Sequence, residues 1–357
     1  MKYYSLDNIL SKNAHYNVVF GERSNGKTYA GLKYGLTQYW KKGEQFAIVR
    51  RWRDDLIGKR GSTMFDSLVS NNEIEKITKG EWTDVYYYSA RWWLCKYNEK
   101  QERTVDTKPF AYGFAISTME HDKSSSYPEI RTVIFDEFLT RGGYLPNEFV
   151  LFMNVLSTII RQRDDVKIFM FGNTVNQYSP YFAEMGLTNV KNMKQGDIDV
   201  YEYGNTGLKV AVEYSDSPSK SKKSDIYFAF DNPKLNMITN GAWEIDLYPH
   251  CPCKILPKNI IFTYFIIFDN DILQCEVISK DGTTFTYVHR KTGDIKNPDT
   301  DLVYSAQTKM GYNWRRKLSH PIDELDQKLY WYYRADKVFY QDNEVGEIIR
   351  NYLQWCQ

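Results

Sequence analysis

Cysteine is scarce in this sequence and poorly spaced for cross-linking. Five are present, at positions 95, 251, 253, 275 and 356. An odd number without framework spacing argues against a disulfide scaffold and for a reducing compartment. Cys251-Pro252-Cys253 lies beside His250, but a tetrahedral zinc site needs four ligands at better spacing. Histidine is equally sparse: the five present are scattered and form no triad with a nucleophile. Charge of one sign is missing too. With 46 basic and 45 acidic residues the net charge is +1, so no global basic field exists. Contact with nucleic acid would have to come from local basic patches, or from one subunit's share of a ring. Long apolar runs are absent. The longest, Ile260 to Phe268, is too short to span a bilayer. No signal peptide opens the chain, because the first apolar cluster, Val18-Val19-Phe20, belongs to a different motif. A soluble, intracellular protein without membrane contact is therefore expected, and no internal repeat is visible.

What is present is a chain of 357 residues, long enough for two or three domains, with 16% aromatic residues. The apolar run at Val18 flows into Gly21-Glu22-Arg23-Ser24-Asn25-Gly26-Lys27-Thr28. This is G-x-x-x-x-G-K-T between a strand and a helix (Tyr29 to Trp40), the setting the motif requires. Gly21 and Gly26 let successive N–H groups wrap phosphate oxygens. Lys27 brings a point charge to the β- and γ-phosphates, Thr28 can ligate Mg²⁺, and the helix N-terminus adds partial positive charge. A second apolar strand, Arg131 to Phe135, ends in Asp136-Glu137. In phosphate-loop enzymes the first acid of such a pair holds the metal shell and the second can polarise water.

Other segments fill in an alternating pattern. A short helix is expected around Ser5 to Ser11, and Glu44 to Arg50 is a buried strand. It runs into a basic, turn-rich segment, Arg50-Arg51-Trp52-Arg53 to Lys59-Arg60-Gly61, read either as a solvated loop or as a loop facing polyanion. Thr83 to Tyr97 is expected to form a hairpin and Ala111 to Ser117 a strand. Met119 to Ile130, containing Lys123, is a loop. Glu148 to Arg161 is an amphipathic helix with Phe152, Leu156 and Ile159 at helical spacing. Val166 to Phe171 is a strand closing on Gly172-Asn173-Thr174, where a polar side chain can sense phosphate or simply cap a turn. Strands alternating with helices predict an α/β sheet with its ligand at the carboxyl ends of the strands. Beyond Pro180 come a hairpin at Asp199 to Tyr214, a basic loop at Ser215 to Ser224 and a proline-punctuated boundary at Pro249 to Pro257. A three-stranded meander over 260–290 follows, then helices at Ile322 to Ala335 and Asn343 to Trp355. The organisation expected from this is a phosphate-loop domain at 1–185, a linker and hairpin region at 186–256, and a C-terminal domain at 257–357.

One phosphate site leaves three classes open: an ATP-driven motor on nucleic acid, a small-molecule kinase, and a non-hydrolysing nucleotide switch. Glu137 directly after Asp136 favours hydrolysis, and no acceptor pocket or lid arginines mark a kinase. Another nucleic-acid-dependent phosphate-loop ATPase remains the alternative.

The phosphate loop, the run GEQFAIVRRW at Gly43–Trp52, SSSYPEIRTVIFDEF at Ser124–Phe138 and IIRQRDDV at Ile159–Val166 together resemble the DNA-packaging ATPases of small tailed phages that use prohead RNA. The likeness covers most of residues 15–182. It implies a terminase-like motor that forms a homo-oligomeric ring, a pentamer in the family. The ring would use ATP and Mg²⁺ to pump viral double-stranded DNA into a procapsid, docked on a portal in the host cytoplasm. The implied folds are a RecA-like ATPase of the additional-strand (ASCE) type and a C-terminal α+β domain similar to RNase H that has lost its catalytic acids. By the resemblance, Gly21 to Thr28 bind ATP, Thr28 and Asp136 the metal, and Glu137 activates water. Arg161 matches a trans-acting arginine finger and Lys123 an interface residue. Asn173 matches a sensor, and Arg53, with Lys59 and Arg60 nearby, a loop that contacts DNA. Arg23 either senses phosphate or shapes the loop. Ile260 to Phe268 contains no acid, and Asp269, Asp271 and Asp281 fall in turns, so no nuclease activity is expected.

Overall fold

The computed structural model describes residues 4–121, 126–216, 243–306 and 311–355. Lys123, Cys356 and residues 217–224 of the basic loop lie outside them. The chain divides into two compact units, Met1–Glu244 and Ile245–Gln357.

In the first unit the chain runs α1 (Asp7–Leu10), β1 (Tyr16–Gly21), α2 (Lys27–Lys42), β2 (Gln45–Arg50), α3 (Gly58–Ser62), α4 (Asp66–Ser70) and α5 (Glu73–Thr78). It continues β3 (Asp84–Tyr88), β4 (Arg91–Tyr97), β5 (Arg103–Val105), β6 (Ala111–Ala115), β7 (Ile130–Asp136) and α6 (Glu148–Ile160). Last come β8 (Lys167–Asn173), α7 (Pro180–Glu184), β9 (Ile198–Tyr203) and β10 (Leu208–Tyr214). The strands form one sheet in the order β3-β4-β6-β2-β7-β8-β1-β10-β9, with β5 on β4. From β6 to β10 every pairing is parallel; the hairpins at both edges are antiparallel. Strand β8 lies between β1 and β7, the additional-strand arrangement that the resemblance implies. Both faces are covered. One core joins Phe135, Phe152, Leu156 and Tyr181 under α6. The other joins Leu32, Leu36, Phe46 and Phe169 under α2. Central strands covered on both faces must be apolar on both, which is why VVF and VIF are unbroken runs. Gly31 lets α2 approach the sheet: a Cβ there would lie 2.3 Å from the Phe171 ring. Gly43, at φ 73°, ends the same helix in the left-handed conformation after Lys41 and Lys42.

The sequence places the end of this domain at 185 and a separate linker and hairpin region at 186–256. The structure carries the unit to Glu244. The physical reason is β10, which pairs in parallel with β1 along Tyr16–Phe20 and buries Val210, Ala211 and Val212 almost completely. The hairpin is thus part of the first unit's sheet. The basic segment after β2 also differs from a plain loop. It contains a 3₁₀ turn at Arg53–Asp55 and α3, and Arg51 is buried.

The second unit holds β11 (Ile260–Phe268), β12 (Asp271–Lys280), β13 (Thr283–Arg290), β14 (Val303–Ser305), β15 (Trp314–Arg315), α8 (Glu324–Arg334), β16 (Val338–Tyr340) and α9 (Asn343–Trp355). The sheet order is β15-β14-β11-β12-β13-β16. Strands β11 to β13 are an antiparallel meander; β14 joins β11 and β16 joins β13 in parallel. The expected start of α8 at Ile322 shifts inward to Glu324 because Asp323 caps it, accepting from the Asp326 N–H at 2.8 Å. Asp271 is the first residue of β12 rather than a turn residue; Asp269 and Asp281 keep turn conformations, each at φ 49°.

Candidate functional site

Register brings the site together. Gly21 pairs with Asn173, Phe20 with Gly172, and Phe171 with Asp136. The carboxyl ends of β1, β8 and β7 therefore lie side by side. They open on a cleft of about 690 Å³ lined by Arg23 to Thr28, Asp136, Glu137, Arg141 and Asn173, among others. Gly26, at φ 96°, turns the loop into α2 in a conformation that favours glycine. Ser215, just past β10, braces the loop: its hydroxyl accepts from Asn25 Nδ2 at 2.9 Å and donates to the Phe20 carbonyl at 3.1 Å. Arg23 is half exposed and pairs with Glu244 at 3.2 Å.

Within the cleft the Thr28 hydroxyl donates to Asp136 Oδ1 at 2.8 Å. A hydroxyl and a carboxylate at that separation are hard oxygen donors of the kind Mg²⁺ takes. Lys27 is 6% exposed. Its Nζ donates to the Glu22 carbonyl at 2.7 Å and Asn25 Oδ1 at 3.1 Å, and reaches Asn173 Oδ1 at 3.5 Å. Burial lowers its ammonium to about 8, against the opposing pull of Asp136 and Glu22. Phosphate oxygens favour the charged form. Below that pH the lysine is already charged when a polyphosphate arrives; above it a proton must be taken up, so affinity falls as pH rises. A fluorescent ATP analogue titrated at pH 7 and pH 9 is expected to bind about tenfold more weakly at the higher pH. The Lys27→Met variant should bind weakly with no such slope, and a flat wild-type profile would reject the assignment.

The acids have an unforeseen partner. Arg50, the last residue of β2, reaches Asp136 at 2.9 Å and Glu137 at 2.8 Å. Two adjacent carboxylates repel, and one guanidinium bridging both offsets that repulsion. The Arg50 Nε is buried without a hydrogen-bond partner among the described residues. A sequence signal for this contact exists: Arg50 ends an apolar strand, which puts it at the same sheet edge as Asp136. Arg51 was read in the same exposed segment; it is instead 6% exposed and paired with Glu148 at 2.7 Å. Of that segment's basic residues Arg53, Lys59 and Arg60 are exposed, with Arg60 paired to Asp55 at 2.8 Å. Arg141, which carried no sequence signal, lines the cleft and donates to the Val175 and Glu244 carbonyls.

Arg161 is elsewhere. It follows α6 and precedes β8, whose far end carries Asn173. Seven residues of strand separate the two ends of β8, about 20 Å at roughly 3.3 Å per residue. Arg161 is exposed at that opposite edge. Its neighbour Arg163 is tied down, donating to the carbonyls of Tyr127, Pro128, Ile130, Ile159 and Ile160.

In the second unit, acids are consumed by local pairing. Asp326 is buried against Tyr304 and Arg315, Glu347 accepts from the Asp246 N–H and Tyr248, and Glu276 pairs with His289 at 3.5 Å. Among the described residues no group of three His, Cys, Asp or Glu could hold a metal ion.

Residues 1–240 match the family described as Podovirus DNA encapsidation protein (Gp16). The chain is similar to the DNA packaging protein of Bacillus phage B103, at 28% identity over 73% of each chain. It is also similar to that of Bacillus phage PZA, at 26% identity over 86% of this chain and 83% of the other. Among solved structures, the Phi-28 gp11 DNA packaging motor aligns over 99% of this chain and 98% of its own, at 16% identity and a TM-score of 0.56. At that identity the likeness speaks to the fold.

Proposed function

The chain belongs to the podovirus DNA encapsidation protein family, and from that premise we propose that it is the ATP-hydrolysing subunit of a ring that moves double-stranded viral DNA into a procapsid. The observation that carries the hydrolytic part is the juxtaposition of Lys27, Thr28 and Asp136 with Glu137 at the mouth of one cleft. Backbone N–H groups from Gly21 to Thr28, including those of Glu22 and Ser24, hold the phosphates, and Lys27 neutralises their charge. Thr28 and Asp136 would hold Mg²⁺, which when bound neutralises charge developing on the phosphoryl oxygens. Glu137, its side chain 64% exposed, accepts the proton of the attacking water, and Asn173 senses the γ-phosphate beside Lys27. Arg161 completes a neighbour's site; its place at the far end of the parallel strands supports a role in trans. The interface role of Lys123 rests on the family resemblance alone.

Arg53, Lys59 and Arg60 lie exposed after β2 and contact the DNA backbone. Phosphate contacts carry no sequence information, so the motor is sequence-tolerant and weakened by salt. A pentameric ring, a procapsid portal, packaging RNA as a docking partner and a host-cytoplasmic site of action belong to the same reading. The second unit is read as an RNase H-like domain without nuclease activity. The antiparallel meander with β14 added in parallel to its first strand supports the topology, and neither β11 nor β14 carries an acid.

One assay tests the whole reading. ATP turnover is measured with neither, either or both of double-stranded DNA and empty procapsids, and the DNA is recovered afterwards. Strong joint stimulation with intact DNA is expected. Stimulation by a small-molecule acceptor instead would restore the kinase reading. A Mg²⁺- or Mn²⁺-dependent cut that Asp269→Ala abolishes would restore the nuclease.

A further inference from the structure

Two consecutive arginines stand where β2 ends: Arg50 is its last residue, Arg51 is the first beyond it, and their side chains part. Arg50 goes to the acids; Arg51 goes into the protein. There all three nitrogens of its fork are engaged. Nε and Nη2 donate to the two Glu148 oxygens at 2.7 and 2.8 Å, Nη1 to the Glu137 carbonyl at 3.2 Å, and Nη2 also to the Phe138 carbonyl at 2.8 Å. Glu148 is 1% exposed and takes two more donors, the Leu145 N–H and the Tyr181 hydroxyl, both at 2.7 Å. Burial works against the Arg51 charge, and the hydrogen bonds and charge of Glu148 more than offset it. We propose that Arg51, clamped by Glu148, is a positioning residue for Glu137: it holds the two carbonyls of the turn from which the Glu137 carboxylate reaches the cleft. The inference rests on the hydrolytic reading above.

Three observations carry it. Glu137 sits at φ 59°, a left-handed conformation that side-chain-bearing residues adopt rarely and keep only when their surroundings impose it. The Glu137 side chain is mostly exposed, so its aim depends on its main chain and on Arg50, and no packed wall surrounds it. A buried ion pair is also a poor device for stability alone, since an apolar pair of similar size does as well. What the guanidinium adds is geometry: a rigid fork that serves a carboxylate and two carbonyls at once, which an ammonium cannot do. Glu148 is in addition the first residue of α6, whose end presents Arg161. The clamp therefore ties the turn of one site to the helix that serves the next.

The test uses the full-length protein and scores variants that retain wild-type thermal unfolding. Arg51→Lys keeps the charge opposite Glu148, and the paired Arg51→Met/Glu148→Met replaces the ion pair by apolar packing. Each is expected to bind a fluorescent ATP analogue within about twofold of wild type and to lose about tenfold or more in kcat, because small misplacements at a reacting centre cost rate rather than affinity. Should the paired variant fail to fold, the lysine variant decides. On a Glu137→Gln background, Arg51→Lys should cause no further loss, since there is no longer a base to aim. A kcat within twofold of wild type, or a full additional loss on the Glu137→Gln background, would overturn the inference. Wild-type protein that binds the analogue but hydrolyses no ATP under stimulating conditions would instead remove the hydrolytic reading beneath it.

Discussion

Glu137→Gln is expected to bind ATP as wild type does and to turn it over about 10²–10⁴-fold more slowly, the range that a positioned general base supplies. The amide keeps the size of the side chain but cannot take a proton. The phosphate loop, the Thr28–Asp136 contact and Lys27 are untouched by the change, so affinity should persist. Arg50 still pairs with Asp136, so that acid stays held. Analogue binding and single-turnover hydrolysis measured on the same preparation separate the two effects. Normal turnover would remove Glu137 as the base and leave Asp136 as the acid to examine.

Arg161→Ala should lower the ATPase rate of the assembled ring by about 10³–10⁵-fold, the effect of removing an arginine finger. The Gly21–Thr28 loop of the same chain lies at the opposite ends of the strands, about 20 Å away at roughly 3.3 Å per residue over β8, which is why the finger is proposed to act on a neighbouring subunit's site. Mixing gives the sharper readout. In a ring of Arg161→Ala and Glu137→Gln subunits, some sites combine an intact glutamate with an intact arginine from next door. Partial rescue at intermediate ratios is expected, and none at any ratio would exclude a role in trans. Full activity of the Arg161→Ala ring would dismiss the finger outright.

The loop from β1 to α2 was legible because its signature is contiguous: two glycines, a lysine and a threonine fall within one short stretch of chain, and the structure sets that stretch at the cleft. The acid pair was legible because an apolar run must end at a sheet edge, and a run ending in Asp-Glu advertises that edge. Helix α6 and the meander of the second unit followed from periodicity of 3.6 and 2, which are backbone properties. Two kinds of feature escaped. The hairpin of β9 and β10 looked separate because strand partners are not encoded locally; only pairing with β1 makes it part of the motor sheet. Arg50 and Arg51 looked like one basic patch because linear charge runs say nothing about where each side chain goes once the chain leaves a covered strand.

By itself, then, the sequence pointed to a phosphate-binding loop at Gly21 to Thr28 and an acid pair at Asp136-Glu137, and it carried the resemblance to a packaging ATPase. The tertiary structure decided what holds those acids. It put Arg50 across both carboxylates, buried Arg51 with Glu148 under the turn that carries Glu137, and set Arg161 at the far edge of the sheet. Cross-strand register and burial make those assignments, and both arise only when segments distant in the chain are packed together.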